Sequence, residues 1–77
     1  MKFIMTLNIP TKNGMAHQII GDHPAASIQE LKKSLMEEDF ILVEEYQQKF
    51  KDGPLMNEGL LLINHHYVGK VRVYNPK

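Results

Sequence analysis

The chain has 77 residues, with nine basic and nine acidic side chains, no net charge and no cysteine. That length holds one small α+β domain, residues 1–77, which buries only about 60 to 65% of its unfolded surface. Disulfides and thiolate metal sites are excluded, the balanced charge supplies no global field for nucleic acid or anionic membranes, and the apolar run Phe3–Met5 is too short for a membrane span or a signal segment. A cytoplasmic protein with no membrane contact is the expectation. The charge is nevertheless uneven. Residues 37–45 hold Glu37, Glu38, Asp39, Glu44 and Glu45 with no base, and residues 70–77 hold Lys70, Arg72 and Lys77 with no acid.

Lys2–Ile9 alternates with a period of two, placing Phe3, Met5, Leu7 and Ile9 on one strand face and a mostly polar set on the other. Pro10 ends the strand. Thr11-Lys12-Asn13-Gly14 predicts a turn, because Asn-Gly tolerates positive φ, and Met15–Ile20 is the return strand. Gly21-Asp22-His23-Pro24 is read as a break in the sheet. Ser27-Ile28-Gln29-Glu30 is a capping box, with the Ser27 hydroxyl accepting from the Glu30 amide and the Glu30 carboxylate reaching back to the Ser27 amide. Ile28, Leu31 and Leu35 then share one face of a helix over Ser27–Glu37, with Lys32 and Lys33 outside.

Phe40–Phe50 opens with the strand-like run Phe-Ile-Leu-Val and is read as a strand carrying Phe40, Leu42, Tyr46 and Phe50 on one face; the alternative is a helix continued from Glu37, whose apolar stripe would have to pass through Glu38 and Asp39. Lys51–Gly59 is read as a loop around Asp52-Gly53-Pro54, with Leu55 and Met56 inside it as candidate contact residues. Leu60–Tyr74 is the stretch that organises the chain. Four aliphatics, Leu60 to Ile63, predict a buried strand. The corner Asn64-His65-His66 predicts a tight turn, and an alternating run to Tyr74 completes a hairpin. In that run Gly69, Val71 and Val73 face one side, and Val68, Lys70, Arg72 and Tyr74 the other. The expected architecture is a small antiparallel sheet with one covering helix, in the order ββαβββ.

Strands flanking one helix, with the corner Asn64-x-x-x-Val68-Gly69-Lys70-Val71, resemble small uncharacterised bacterial and phage proteins. The resemblance covers the last third of the chain and carries no functional residue over. Sm-like RNA-binding barrels open with their helix, whereas here a hairpin precedes it.

Chemistry-bearing patterns are sparse. The four histidines, His17, His23, His65 and His66, fall in three separate segments, whereas zinc needs three or four convergent ligands, so no metal and no cofactor is expected. Of the two serines, Ser27 caps the helix and Ser34 lies within it, and no nucleophile elbow or phosphate-binding glycine motif occurs. The expectation is a non-enzymatic module that binds a partner protein, fitting by size an accessory or inhibitory protein of a phage or mobile element. The alternative is binding of single-stranded nucleic acid or a small anionic ligand at His65, His66, Tyr67, Lys70, Arg72 and Tyr74, which combine aromatic and basic groups. Glu44, Glu45, Leu55 and Met56 are the candidate protein-interface residues. A homo-oligomer is also expected, with Glu44 and Glu45 pairing against Lys70 and Arg72 on the last strand, within one chain or across a dimer axis.

Overall fold

The structure is a computed structural model that describes residues 1–12, 14 and 16–75. Its elements follow the predicted order ββαβββ: β1 (Lys2–Leu7), β2 (His17–Asp22), α1 (Ile28–Glu37), β3 (Phe40–Gln48), β4 (Leu55–Asn64) and β5 (Val68–Val73), with a 3-10 turn at His65–Tyr67 before the last strand. The strands form one antiparallel sheet in the spatial order β4-β3-β2-β1-β5. No helix among the described residues is long and apolar enough to cross a membrane.

The period-two pattern of β1 sends Phe3, Met5 and Leu7 into the core. The turn that follows is closed by the Gly14 amide donating to the Thr11 carbonyl at 3.1 Å, with Gly14 at φ +69°. Asn13 of the predicted turn and Met15 of the predicted return strand lie outside the described residues, as do Pro76 and Lys77. Strand β2 continues through Gly21 and Asp22 instead of breaking there. Gly21 pairs with Phe3, and a Cβ on it would lie 3.1 Å from a methyl of Val43. Its missing side chain is therefore what lets β2 lie close under Val43, so this glycine continues the strand.

Ser27 caps α1 as its sequence predicts, its hydroxyl accepting from the Glu30 amide at 3.2 Å. The reciprocal bond differs by one residue, because the Glu30 carboxylate accepts from the Ala26 amide at 3.1 Å. The helix lies over the inner face of the sheet, with Leu31 fully buried and Ile28 and Leu35 partly so. Phe3, Met5, Leu7, Ile19, Ile41, Val43 and Ile63 supply the sheet's share of this core, and Ala25 closes one end.

Three expectations for the second half are corrected. The predicted loop 51–59 is shorter, since a turn closed by the Gly53 amide on the Phe50 carbonyl at 3.0 Å reverses the chain and β4 begins at Leu55. Leu55 and Met56 are thus strand residues opposite Gln48 and Gln47. Gly59, at φ +100°, belongs to a bulge in which Glu58 is the extra residue between Asn57 and Gly59. Secondly, β4 and β5 form no hairpin and lie at opposite edges of the sheet. Four residue steps from Asn64 to Val68 span at most about 14 Å. A flat five-stranded sheet would hold its edges about 19 Å apart. The sheet therefore coils into an open barrel whose seam is crossed by the 3-10 turn. Asn64 caps that turn, its side chain accepting from the His66 amide at 2.9 Å. The Tyr67 carbonyl then accepts from the Asn8 amide at 2.7 Å and leads the chain into pairing with β1. The register shift beside Leu7 leaves Gly69 unpaired, so Val68 turns inward with Val71 instead of outward with Lys70.

The third correction concerns charge pairing. Strand β3 lies between β2 and β4, β2 pairing with it at Glu44, Glu45 and Tyr46, and β5 pairs with β1. Within the chain Glu44 and Glu45 therefore lie on no ladder with Lys70 and Arg72, and both are paired on each side, Glu44 with Asp22 and Leu60 and Glu45 with Gly21 and Gly59.

Candidate interaction surface

One helix covers one face of the sheet and leaves the outer face bare. Register places Lys2, Ile4 and Thr6 of β1, Gln18, Ile20 and Asp22 of β2, Phe40, Leu42, Glu44 and Tyr46 of β3, and Leu60, Leu62 and Asn64 of β4 on that outer face. Its two halves differ in chemistry.

The β3–β4 half is apolar. Leu42 stands directly opposite Leu62, and Phe40 and Leu60 flank the pair. All four are exposed, Phe40 by 48%, Leu42 by 52%, Leu62 by 60% and Leu60 by 73%. Together they form an apolar patch on the order of a few hundred Å², about the size of the largest such patch on a typical monomer, which is often functional. At the seam, Phe40 and Leu62 join Leu7, Ile9 and Tyr67 around a cavity of about 260 Å³ that runs along the last residues of β4. The predicted buried strand Leu60–Ile63 is thus a half-covered edge strand in which only Ile63 is buried.

The β1–β2–β5 half is polar. Lys2 pairs with Asp22 at 3.7 Å and lies 5.0 Å over the Tyr46 ring. The Tyr46 hydroxyl donates to Glu44 at 2.7 Å. That bond, with a second from Asn57, holds the Glu44 carboxyl below its ordinary pKa, and the same bond to Glu44 pushes the Tyr46 hydroxyl up. Tyr46 and Tyr74 flank a shallow cavity of about 230 Å³ with Ile4 and Ile20 at its floor.

The candidate binding residues are divided between two places. Lys70 and Arg72 lie on β5 opposite Thr6 and Ile4, with Tyr74 following them beside the shallow cavity. Neither cation is in an ion pair within the described residues. His65, His66 and Tyr67 lie in the 3-10 turn at the seam, the two imidazole rings 4.0 Å apart. The candidate interface residues are scattered too. Glu44 adjoins the apolar patch, opposite Leu60, whereas Glu45 faces the other side and accepts from Gln47 at 2.8 Å. Leu55 and Met56 lie at the far end of β4. Among the described residues no three His, Asp or Glu side chains converge as metal ligands. His23 instead accepts from the Ala25 amide at 3.0 Å through Nδ1, and burial holds its imidazole below the ordinary pKa.

The four residues of the apolar patch were not among the sequence candidates, yet a signal for them exists. Phe40–Val43 and Leu60–Ile63 are apolar on both faces, and a chain with one helix can cover only one of them. Comparison with family models, with curated proteins and with solved structures found no match to this chain.

Proposed function

We propose that this chain is a non-enzymatic protein-interaction module that works by offering the β4 edge and the adjoining apolar face to a partner protein. The observation that carries the reading is the exposed patch of Phe40, Leu42, Leu60 and Leu62, which includes the outward side chains of an edge strand. An exposed edge gives a partner main-chain hydrogen bonds, and the neighbouring side chains give it apolar contact. The lack of cysteine supports a reducing, cytoplasmic setting. The test is affinity capture from a lysate with the native chain and with Leu60→Lys plus Leu62→Lys. Both substitutions are outward, so the variant keeps its thermal melt while losing the captured protein. Equal capture by both, from a chain that also does not self-associate, would remove the reading.

A second reading, binding of single-stranded nucleic acid or a small anionic ligand, is favoured by one observation. Among the described residues Lys70 and Arg72 are in no ion pair, and they precede Tyr74 on the polar half. A salt titration of oligonucleotide binding checks it, since each phosphate contact contributes a slope of about −0.7 in log affinity against log salt. A slope unchanged by Lys70→Ala plus Arg72→Ala would remove it.

A further inference from the structure

The two edges of the sheet are built differently. Strand β5 is six residues long, carries Lys70 and Arg72, and is bulged at Gly69. Short length, charge and a bulge are the features by which natural sheets blunt an edge against pairing. Strand β4 is ten residues long, and from Gly59 to Asn64 it carries no charge, no proline and no bulge. Its regular window is bounded by the Glu58 bulge at one end and the 3-10 turn at the other.

We propose that this window pairs antiparallel with the same window of a second copy, about a two-fold axis at Leu61. The proposal rests on the reading of the β4 edge as an interaction surface and names its occupant. A two-fold in an antiparallel pair must place one residue opposite itself, and few centres fit inside the window. With Leu61 at the centre, Leu60 faces Leu62 of the second copy and Gly59 faces Ile63. The outward leucines then meet across the axis and join the two apolar patches into one stripe. The bulky Ile63 meets a residue with no side chain, at a place where even an added Cβ would stand in open space. The one charged residue of β4, Glu58, lies outside the paired window and does not oppose its own copy. A centre at Leu62 instead sets Leu60 against the polar Asn64. A centre at Leu60 sets the bulged, charged Glu58 against Leu62, and a centre at Glu58 sets two carboxylates together across the bulge. The sequence of β4 is thus complementary to itself in one register, as a two-fold interface requires.

The chain contains no cysteine, so single introduced thiols report this register directly. Directly opposed residues have Cα atoms about 4.5 to 5.5 Å apart, within disulfide range, whereas diagonal ones lie about 7 to 8 Å apart and outside it. Residues 60 and 62 are exposed, so Leu60→Cys and Leu62→Cys leave the core intact. A mixture of the two variants under mild oxidation is expected to cross-link several times faster than either alone. Sedimentation equilibrium of the native chain from micromolar to millimolar concentration is expected to show a dimer. A native chain monomeric throughout, or cross-linking no faster in the mixture than in the separate variants, overturns the proposal. Those failures are distinct from failure of the interaction reading. A monomeric native chain that still captures a protein lost by Leu60→Lys plus Leu62→Lys keeps the face and removes the second copy. A monomeric chain with equal capture by both removes the two together.

Discussion

Gly21 is the position where the sheet leaves least room, and adding one carbon there gives a calculable result. A Cβ would lie 3.1 and 3.2 Å from Val43 Cγ2 and Cβ, and Val43 is 1% exposed within a close-packed core. The φ of Gly21 lies outside the left-handed region, so alanine meets no backbone obstacle. Crowding of this kind costs about 1 to 3 kcal/mol. Reduced freedom of the unfolded chain offsets about 0.4 to 1 kcal/mol of it. Taking the middle of each range, Gly21→Ala should therefore destabilise by about 1.3 kcal/mol, against a total of about 4 to 12 kcal/mol for a chain of this length. Val43→Ala removes two buried methyl groups and leaves a void, at about 2 to 3 kcal/mol. In the double variant the methyl introduced by Gly21→Ala occupies the space that the Val43 methyls leave, so the two costs should fall short of their sum by about 1 to 2 kcal/mol. Urea unfolding measures this, with the midpoint moving at constant m. Additive costs, or a Gly21→Ala variant as stable as the native chain, would refute the argument that Gly21 is a packing residue.

Ser27→Ala should cost about 1 kcal/mol by leaving the Glu30 amide without its cap, while Ser27→Asp should restore most of it in the same urea assay. Tyr46→Phe removes the 2.7 Å bond that holds the Glu44 carboxyl low, so carboxyl titration by NMR should show the Glu44 pKa rising toward its ordinary value. Because a lowered carboxyl pKa contributes stability that is lost as pH falls through the folded value, this variant should also show a shallower acid limb. For His23, whose folded pKa lies below 6.5, the contribution is full above that pH and is lost as pH falls through 6.5 toward the folded value. His23→Asn should flatten that part of the pH–stability curve, and an unchanged curve would show that the imidazole is not the group titrating.

The strands with strict alternation and the capped helix were legible from residues alone. Phe3, Met5 and Leu7 leave only one face to bury, and Ser27 with Glu30 marks a helix start by chemistry confined to four residues. What was not legible depends on partners distant in sequence. Gly21 looks like a breaker until Val43 is known to lie across it. Leu60–Ile63 looks like a core strand because a run apolar on both faces normally lies between covering layers, and nothing local says that β4 ends at an edge. The Asn64–His66 corner reads as a hairpin turn, because the same residues can open a 3-10 turn and the choice between them is made by β1, which holds β5 elsewhere. The candidate surface was half visible for the same reason. Its cations stand out by charge, whereas its leucines acquire meaning only once the single helix is seen to cover the opposite face.

The first strand takes its second neighbour from the far end of the chain, and this sets the order in which the sheet can close. Nine residues separate Leu7 from His17, and sixty separate Leu7 from Val68. Closing the longer loop costs about 1.7 kcal/mol more in chain entropy than closing the shorter one. The β1–β2 and β3–β4 ribbons are local, so contact order predicts that they form early and that the β1–β5 pairing comes late. Until it forms, the edge of β1 that β5 will cover stands open to solvent. The species most exposed to misassembly is therefore a nearly complete sheet that still lacks Val68–Val73.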